Sequence, residues 1–435
     1  MALPIVAVVG RPNVGKSTLV NRIAQTSDAI VHEQRGVTRD RSYHRADWNG
    51  RDFMLIDTGG IEHAKEDPFA ESIRSQAMMA AEEADVIVVL VDGKSGVLDG
   101  DEQVARLLQR SGKPIFLAVN KMDTPNDDTA SHEFWSLGLG QPWPVSATHG
   151  HGTGDLLDEI VKALPEPEEY VESDSIDIAI IGRPNAGKSS LLNRLVGRER
   201  AIVSDVAGTT RDSFDTAVER DGRTYRFIDT AGIRRKSQID EDVEYYGFVR
   251  AMRAIDNAHI ALLVIDSTIG ITDGDQRIAR FAEERGSGLI IVLNKWDLIS
   301  DEEEREELIY QVQEQLGFVS YAPVLRISAL TGAKVHRVYE MIDKAYTAYT
   351  SEITTSALNK LLTELRDFGH TVSKGRMTLR VHYVTQTHVK PPGFTFFANH
   401  PRLGDDNFKR YLENRMRAAF DLTGTPITIK FKQKD

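Results

Sequence analysis

Two lysines stand at the ends of matching eight-residue runs. The first run is Gly10, Arg11, Pro12, Asn13, Val14, Gly15, Lys16 and Ser17. The second is Gly182, Arg183, Pro184, Asn185, Ala186, Gly187, Lys188 and Ser189. A turn bracketed by glycines, set between an apolar strand and a helix, turns its backbone N–H groups inward around an anion, with the helix N-terminus behind them. In that setting each lysine neutralises β- and γ-phosphate charge, and each serine hydroxyl is an oxygen ligand for magnesium. The chemistry is that of a polyphosphate. A third Gly-Lys-Ser, Gly93-Lys94-Ser95, has Val88 five residues before it in place of glycine, reads as a loop, and is assigned no site.

Each run is followed by the same series of motifs. Asp57, Thr58, Gly59, Gly60 and Ile61 match Asp229, Thr230, Ala231, Gly232 and Ile233. The aspartates end apolar strands and are placed to hold magnesium through water. Gly60 and Gly232 free a backbone amide to meet a γ-phosphate, and loss of that phosphate would release the loop. Thr38 and Thr210 stand at the same distance beyond each phosphate loop and are candidates for a magnesium ligand engaged only in the triphosphate state. The spacing is 172 residues for Ser17 and Ser189, for Thr38 and Thr210, and for Asp57 and Asp229; it is 174 for Asn120 and Asn294. Registered repetition of this length marks a duplicated domain, since solenoid repeats are far shorter.

Asn120, Lys121, Met122 and Asp123 match Asn294, Lys295, Trp296 and Asp297. A carboxylate at Asp123 or Asp297 accepts hydrogen bonds from guanine N1–H and the 2-amino group, which adenine lacks, so an adenine nucleotide would leave it unpaired. Asn120 and Asn294 are expected to brace the loops, and Lys121 and Lys295 to lay their stems along the ring. Ser146-Ala147 and Ser328-Ala329 follow further strands and would offer a backbone amide to the guanine 6-oxo. These motifs in this order, twice, predict two GTP sites.

Lys16, Thr38, Lys188 and Thr210 are the candidates for the hydrolytic step. Many GTPases place a glutamine directly after the second aspartate motif to orient water; here Ile61 and Ile233 occupy the place, so transition-state charge must be stabilised by other groups. Asn13 and Asn185 occupy the loop position at which potassium-activated GTPases ligate a monovalent cation, which predicts potassium-stimulated hydrolysis in one or both domains; the alternative is that each asparagine only holds its loop through a backbone hydrogen bond. His149, His151 and Trp296 read as loop and packing residues. The basic run 234–237 reads equally as a mobile RNA- or domain-contacting segment and as a solvated surface.

The elements that must position these groups follow from the apolar runs. IVAVVG, FMLIDT, VIVVLVD and PIFLAVN in the first half, and IDIAIIG, TYRFIDT, IALLVID and LIIVLN in the second, alternate with helix-length segments. β-branched runs between helices predict a mostly parallel sheet covered on both faces. The expected division is residues 1–165 for the first nucleotide domain, 166–175 for an acidic linker, 176–350 for the second and 351–435 for a small α+β domain. The last is read as αββαβ, with a helix at 354–368, strands at 376–385 and 394–399, a helix at 405–420 and a strand at 426–432. The acidic run 301–307 is expected to open a helix capped by Ser300 or Asp301. At 435 residues, a prior of about 150 per domain gives the same count of three.

Composition narrows the setting. Cysteine is absent, which excludes disulfides and thiolate metal sites and fits a reducing compartment. The apolar N-terminal run has no basic leader character and reads as a strand, and no stretch approaches the ~20 apolar residues of a membrane span. A cytoplasmic monomer is expected. Residues 351–435 carry 14 Lys/Arg against 8 Asp/Glu, whereas residues 1–350 carry 39 against 57. A basic tail on an acidic body points to a polyanion partner, with a solvated surface as the equal alternative.

With GRPNxGKS in both copies, DTGGI then DTAGIRRK, NKMD then NKWD, and a small basic domain at the end, the chain resembles the EngA/Der family of ribosome-assembly GTPases along essentially its whole length. The resemblance implies a KH-like third domain, contact with ribosomal RNA and a role in maturing the large ribosomal subunit. Residues 351–435 depart from an ordinary KH pattern in lacking GxxG, the loop that clamps a nucleic-acid backbone. Arg35 stands where a proline is expected before the glycine of the first switch. A potassium-dependent RNA-modification GTPase and a nucleotide-gated RNA-binding scaffold are the alternative readings.

Overall fold

The structure, a computed structural model, describes residues 3–26, 43–58, 77–78, 80–166, 174–197, 215–230, 243–367, 373–374 and 377–433. The chain divides into two compact units, Met1–Tyr170 and Val171–Asp435.

In the first unit, six strands form one sheet: β1 (Ile5–Val9), β2 (Tyr43–Trp48), β3 (Arg51–Asp57), β4 (Val86–Asp92), β5 (Ile115–Asn120) and β6 (Pro142–Pro144). Their order is β2-β3-β1-β4-β5-β6, parallel except where β2 runs against β3. β1 and the first six residues of β4 are buried throughout, as continuous Val/Ile/Leu runs require when helices cover both faces. The antiparallel edge strand was not among the strands expected. Its signal is Asn49-Gly50, whose φ values of 51° and 76° make the turn that joins twisted antiparallel strands.

The second unit contains a sheet of the same order. Strands β7 (Ile176–Ile181), β8 (Thr216–Arg220), β9 (Arg223–Ile228), β10 (Ile260–Asp266), β11 (Gly288–Asn294) and β12 (Val324–Arg326) lie as β12-β11-β10-β7-β9-β8. Asp221-Gly222, with φ values of 50° and 77°, repeats the β2–β3 turn between β8 and β9. One face packs Ile178, Phe227, Leu262 and Val292 under the helix His336–Tyr349, while the other packs Ile181, Leu263 and Ile291 against the helices Val243–Asp256 and Asp273–Arg285. The acidic run opens the helix Glu302–Gln315 as expected, with Asp301 as the cap accepting from the Glu303 N–H at 3.0 Å.

The same unit continues through the helix Thr355–Asp367, two short strands β13 (Ser373–Lys374) and β14 (Met377–Thr378), then β15 (Val381–His388), β16 (Gly393–Ala398), the helix Asp406–Ala419 and β17 (Thr428–Gln433). β15 and β16 are antiparallel and β16 and β17 parallel. The strand expected at 376–385 lies at 381–388, because Ser373–Lys374 and Met377–Thr378 pair with each other instead. One face of this sheet offers Val384, Phe394 and Phe396 to Leu358, Leu362 and Met416 of the two helices. The C-terminal part also touches the second nucleotide fold: Leu289 N–H donates to Gly424 O at 2.8 Å, and the Arg417 guanidinium lies 4.7 Å from the Tyr321 ring centre. Among the described residues no helix is long and apolar enough to cross a membrane.

Candidate nucleotide sites

Strand order reverses at β1 and again at β7, and in such sheets ligands lie in the crevice beyond the strand ends at that point. The two lysine loops leave those strand ends. Lys16 Nζ donates to Gly10 O at 2.7 Å and to Arg11 O at 2.9 Å; Lys188 Nζ donates to Gly182 O and Arg183 O, each at 2.6 Å. Both ammonium groups therefore stay inside the loops that carry them. Burial pushes Lys188 down to about 8, with Asp275 pulling it back up. The asparagines Asn13 and Asn185 turn the loops with φ of 64° and 61°, in the left-handed region that asparagine tolerates better than most residues, and both are exposed. In the first loop Arg11 Nε donates to Asp101 Oδ1 at 2.8 Å.

The bracing asparagines do what their position predicts. Asn120 Nδ2 donates to Val14 O at 2.7 Å while its Oδ1 accepts from Ala147 N–H at 2.9 Å; Asn294 Nδ2 donates to Ala186 O at 2.8 Å while its Oδ1 accepts from Ala329 N–H at 2.9 Å. One amide side chain thus ties the phosphate loop to the Ser-Ala loop in each copy. The asparagine passes so close to Gly15 or Gly187 that a Cβ there would collide with its nitrogen, and both glycines also have positive φ, 102° and 96°.

The segments expected to read the base start from paired strand ends. Asp92 and Asn120 are opposite one another in β4 and β5, as are Asp266 and Asn294 in β10 and β11. Lys121 Nζ donates to Asp92 Oδ2, and Lys295 Nζ to Asp266 Oδ2, which fixes the ends of the lysine stems. At Asp266, burial pushes the carboxyl up, but hydrogen bonds from Lys295 and Thr268 hold it below the usual carboxylate range. Met122 is buried, whereas Trp296 is flanked by the Arg326 and Arg305 guanidinium groups at 5.2 and 5.8 Å from its ring. Asp123 Oδ1 accepts from Ser146 Oγ at 2.9 Å and Asp123 Oδ2 from Lys94 Nζ at 2.6 Å, and these bonds hold its carboxyl below the usual range.

Ser146 N–H donates to His151 O and Gly150 N–H to Ser146 O, closing a tight loop; Ser328, Ala333 and Gly332 repeat it. The amides of Ala147 and Ala329, expected to face the 6-oxo, already donate to the asparagines. The next amides, of Thr148 and Leu330, have no acceptor among the described residues. His149 and His151 belong to the loop as read, the first through its N–H to Ser146 Oγ at 3.1 Å.

The two aspartates that end the sheet differ. Asp57 is in strand β3, buried, and paired opposite Val8; Thr58 Oγ1 donates to Val8 O at 2.7 Å. Asp229 falls just beyond β9 in the left-handed region, φ 51°, its N–H donating to Asp215 Oδ1 at 3.0 Å, while the Thr230 and Thr216 hydroxyls lie 3.0 Å apart. Thr38, Thr210, Gly59, Gly60, Ile61, Ala231, Gly232, Ile233, Arg35 and the run 234–237 lie outside the described residues. Ser17 and Ser189 stand exposed at the first turns of their helices.

Sequence reasoning missed Lys94 and four further side chains. Arg22 and Arg194 grip the Ser-Ala loops, and Asp92 and Asp266 hold the lysines. Their signal was available in the repeat: Arg22 and Arg194 are also 172 residues apart, and Asp92 and Asp266 share the 174-residue spacing of the base-reading asparagines.

A family model described as 50S ribosome-binding GTPase matches residues 5–121 and again 177–295, and one described as the KH-domain-like C-terminal part of EngA bacterial GTPase enzymes matches 352–432. Among curated relatives, GTPase Der of Moorella thermoacetica is 48% identical over 434 residues, covering 100% of this chain and 99% of its own. GTPase Der of Streptococcus uberis is 48% identical over 431 residues, covering 99% of both. Among solved structures, Aquifex aeolicus Era bound to GDP and aluminium fluoride is similar at 22% identity, with a TM-score of 0.30, over 59% of this chain and 92% of that one. With both nucleotide folds and the C-terminal domain matched in one continuous alignment, the chain belongs to the EngA/Der family of GTPases.

Proposed function

We propose that this GTPase is a cytoplasmic switch in ribosome biogenesis, acting as a monomer on the assembly or stability of the large subunit. Triphosphate in its sites promotes docking on ribosomal RNA, and hydrolysis releases it. The observation that carries this reading is the match of a 50S ribosome-binding GTPase model to both copies of the nucleotide fold. The basic excess of residues 351–435 supports a polyanion partner. We take the working parts to be residues 1–165, 176–350 and 351–435, joined after the first by the linker 166–175.

In each site the loop amides and Lys16 or Lys188 bind the β- and γ-phosphates, and Asp123 or Asp297 selects guanine. The hydroxyls of Ser17 and Ser189 and the carboxylates of Asp57 and Asp229 are hard oxygen donors that fit magnesium, with Thr38 and Thr210 completing the set in the triphosphate state. Magnesium, when bound, neutralises charge on the phosphate oxygens. The lysine ammonium then stabilises the charge that develops as water attacks the γ-phosphorus and GDP leaves. Asn13 and Asn185, exposed at the turn of each loop, supply an amide oxygen suited to potassium.

Co-sedimentation with ribosomal particles tests the proposal, using GDP, a non-hydrolysable GTP analogue or no nucleotide at two salt concentrations. Binding to the large subunit that needs the triphosphate analogue and weakens with salt is expected. Binding indifferent to nucleotide, or confined to the small subunit, would overturn it.

A further inference from the structure

One side chain in each copy joins the phosphate end of the site to the base end, and it is not among the nucleotide motifs. Arg22, on the helix Lys16–Thr26, donates from Nε to Ala147 O at 3.1 Å and from Nη2 to Thr148 O. Arg194, on the helix Lys188–Val196, donates from Nε to Ala329 O at 3.2 Å and from Nη2 to Leu330 O. The same fork therefore closes on the same two successive carbonyls in both halves of the duplicated chain.

A trans peptide is planar, with its C=O and N–H pointing in opposite directions. Holding the Ala147 carbonyl fixes the Thr148 N–H on the opposite side; holding the Ala329 carbonyl does the same for the Leu330 N–H. These are the amides with no acceptor among the described residues. Holding the Thr148 carbonyl likewise fixes the His149 N–H, which donates to Ser146 Oγ at 3.1 Å, and that hydroxyl donates in turn to Asp123. A guanidinium presents its donors in a rigid plane, so one arginine fixes two peptide planes more firmly than the freely rotating ammonium of a lysine does.

We propose that Arg22 and Arg194 are positioning residues for guanine recognition, which aim the amide edge of the Ser-Ala loop at the 6-oxo group of the base. This rests on the reading that Asp123, Asp297 and the Ser-Ala loops frame guanine. It adds that the helix behind the phosphates controls how well the base is read.

The test compares three nucleotides by calorimetric titration of the full chain. 6-Thio-GDP keeps N1–H and the 2-amino group but replaces the 6-oxo with a weak, larger acceptor; IDP keeps the 6-oxo but lacks the 2-amino group. Wild type is expected to prefer GDP over both. In R22A/R194A, GDP affinity is expected to fall about five- to tenfold, the loss of a well-aimed hydrogen bond. The preference for GDP over 6-thio-GDP should fall toward unity while the preference over IDP, which reports the carboxylates, is kept. R22K/R194K should show a smaller fall in the same ratio, and it provides the readout if the alanine protein does not fold. Equal weakening of all three nucleotides, or no change in the 6-thio ratio, would overturn the proposal. Wild type that does not discriminate among the three would instead overturn the base-site reading beneath it.

Discussion

The two proposed nucleotide sites agree at their lysine loops and diverge around Asp123 and Asp229. In both, the lysine ammonium is held by two carbonyls of its own loop, and one asparagine spans from that loop to the Ser-Ala loop with bonds that agree to within 0.1 Å. In the first site, Lys94 grips Asp123, the proposed reader of the base; the matching residue of the second site is Thr268, whose hydroxyl donates to Asp266 on its own turn at 2.7 Å. At the switch entrance Asp57 stays in the ladder of β3, whereas Asp229 leaves it in a left-handed conformation. A phosphate presents the same charge to both copies and leaves little room for variation. The base rim and the strand end tolerate change, and it is there that two copies of one nucleotide fold can diverge.

The sharpest way to separate the copies is to disable them one at a time. Asp123→Asn and Asp297→Asn each replace an acceptor pair for guanine N1–H and the 2-amino group with a side chain that presents a donor to them. Each variant is expected to lose GDP from its own site by about a hundredfold or more. Each should gain the xanthine nucleotide there, whose 2-oxo group accepts from the new amide. Calorimetry on the full chain should then report one GDP site instead of two. Two unchanged GDP sites in either variant would break the assignment of these carboxylates to the base.

How legible these sites were depends on whether a residue works through its neighbours in sequence or in space. The phosphate loops were readable because strand, turn and helix are consecutive, so their spacing is fixed by local geometry. Asn120 was readable as a brace because it ends a strand. Lys94 was dismissed because the run around it lacks the leading glycine of a phosphate loop. Its role arises from register: Asp92 and Asn120 are paired across β4 and β5, which brings residues 94 and 123 beyond the same sheet edge. Arg22 reaches a loop more than 120 residues away, and no local pattern encodes that; the shared spacing with Arg194 did. In the C-terminal part, the strand expected at 376–385 pairs only from Val381 and runs on to His388. A two-residue hairpin partner competes for the earlier residues.

Lys188 is held at about 8 by burial, so it is charged below that pH and loses its proton above it. Phosphate binding needs the charged form. GDP affinity at the second site, read in an Asp123→Asn protein so that the first site is silent, should be nearly level from pH 7 to 7.5. It should then fall toward about tenfold per pH unit as pH rises past 8. K188R, whose guanidinium stays charged, should bind with a level profile over pH 7 to 9. A wild-type profile as level as that of the arginine variant would show that the second lysine gives this site no pH dependence in that range.

The smallest expected effect bears most directly on why the copies differ. In the proposed site, guanine shares both oxygens of Asp123 with donors already present, Ser146 on one and Lys94 on the other. Ser146 lies within the loop and moves with it, but Lys94 is largely exposed and can swing away, so its hold is weak and screened by salt. Lys94→Thr should therefore tighten GDP at the first site by a few-fold at low salt, with the gain shrinking as salt rises. The reciprocal Thr268→Lys should weaken the second site by a similar factor, because it brings an ammonium toward Asp297 and removes a bond to Asp266. Read with one site silenced at a time, a tighter first site and a weaker second would make this single position a determinant of how tightly each copy holds GDP. The reverse pair, a weaker first site and a tighter second, would mean that lysine at this position supports the bound base instead of competing with it.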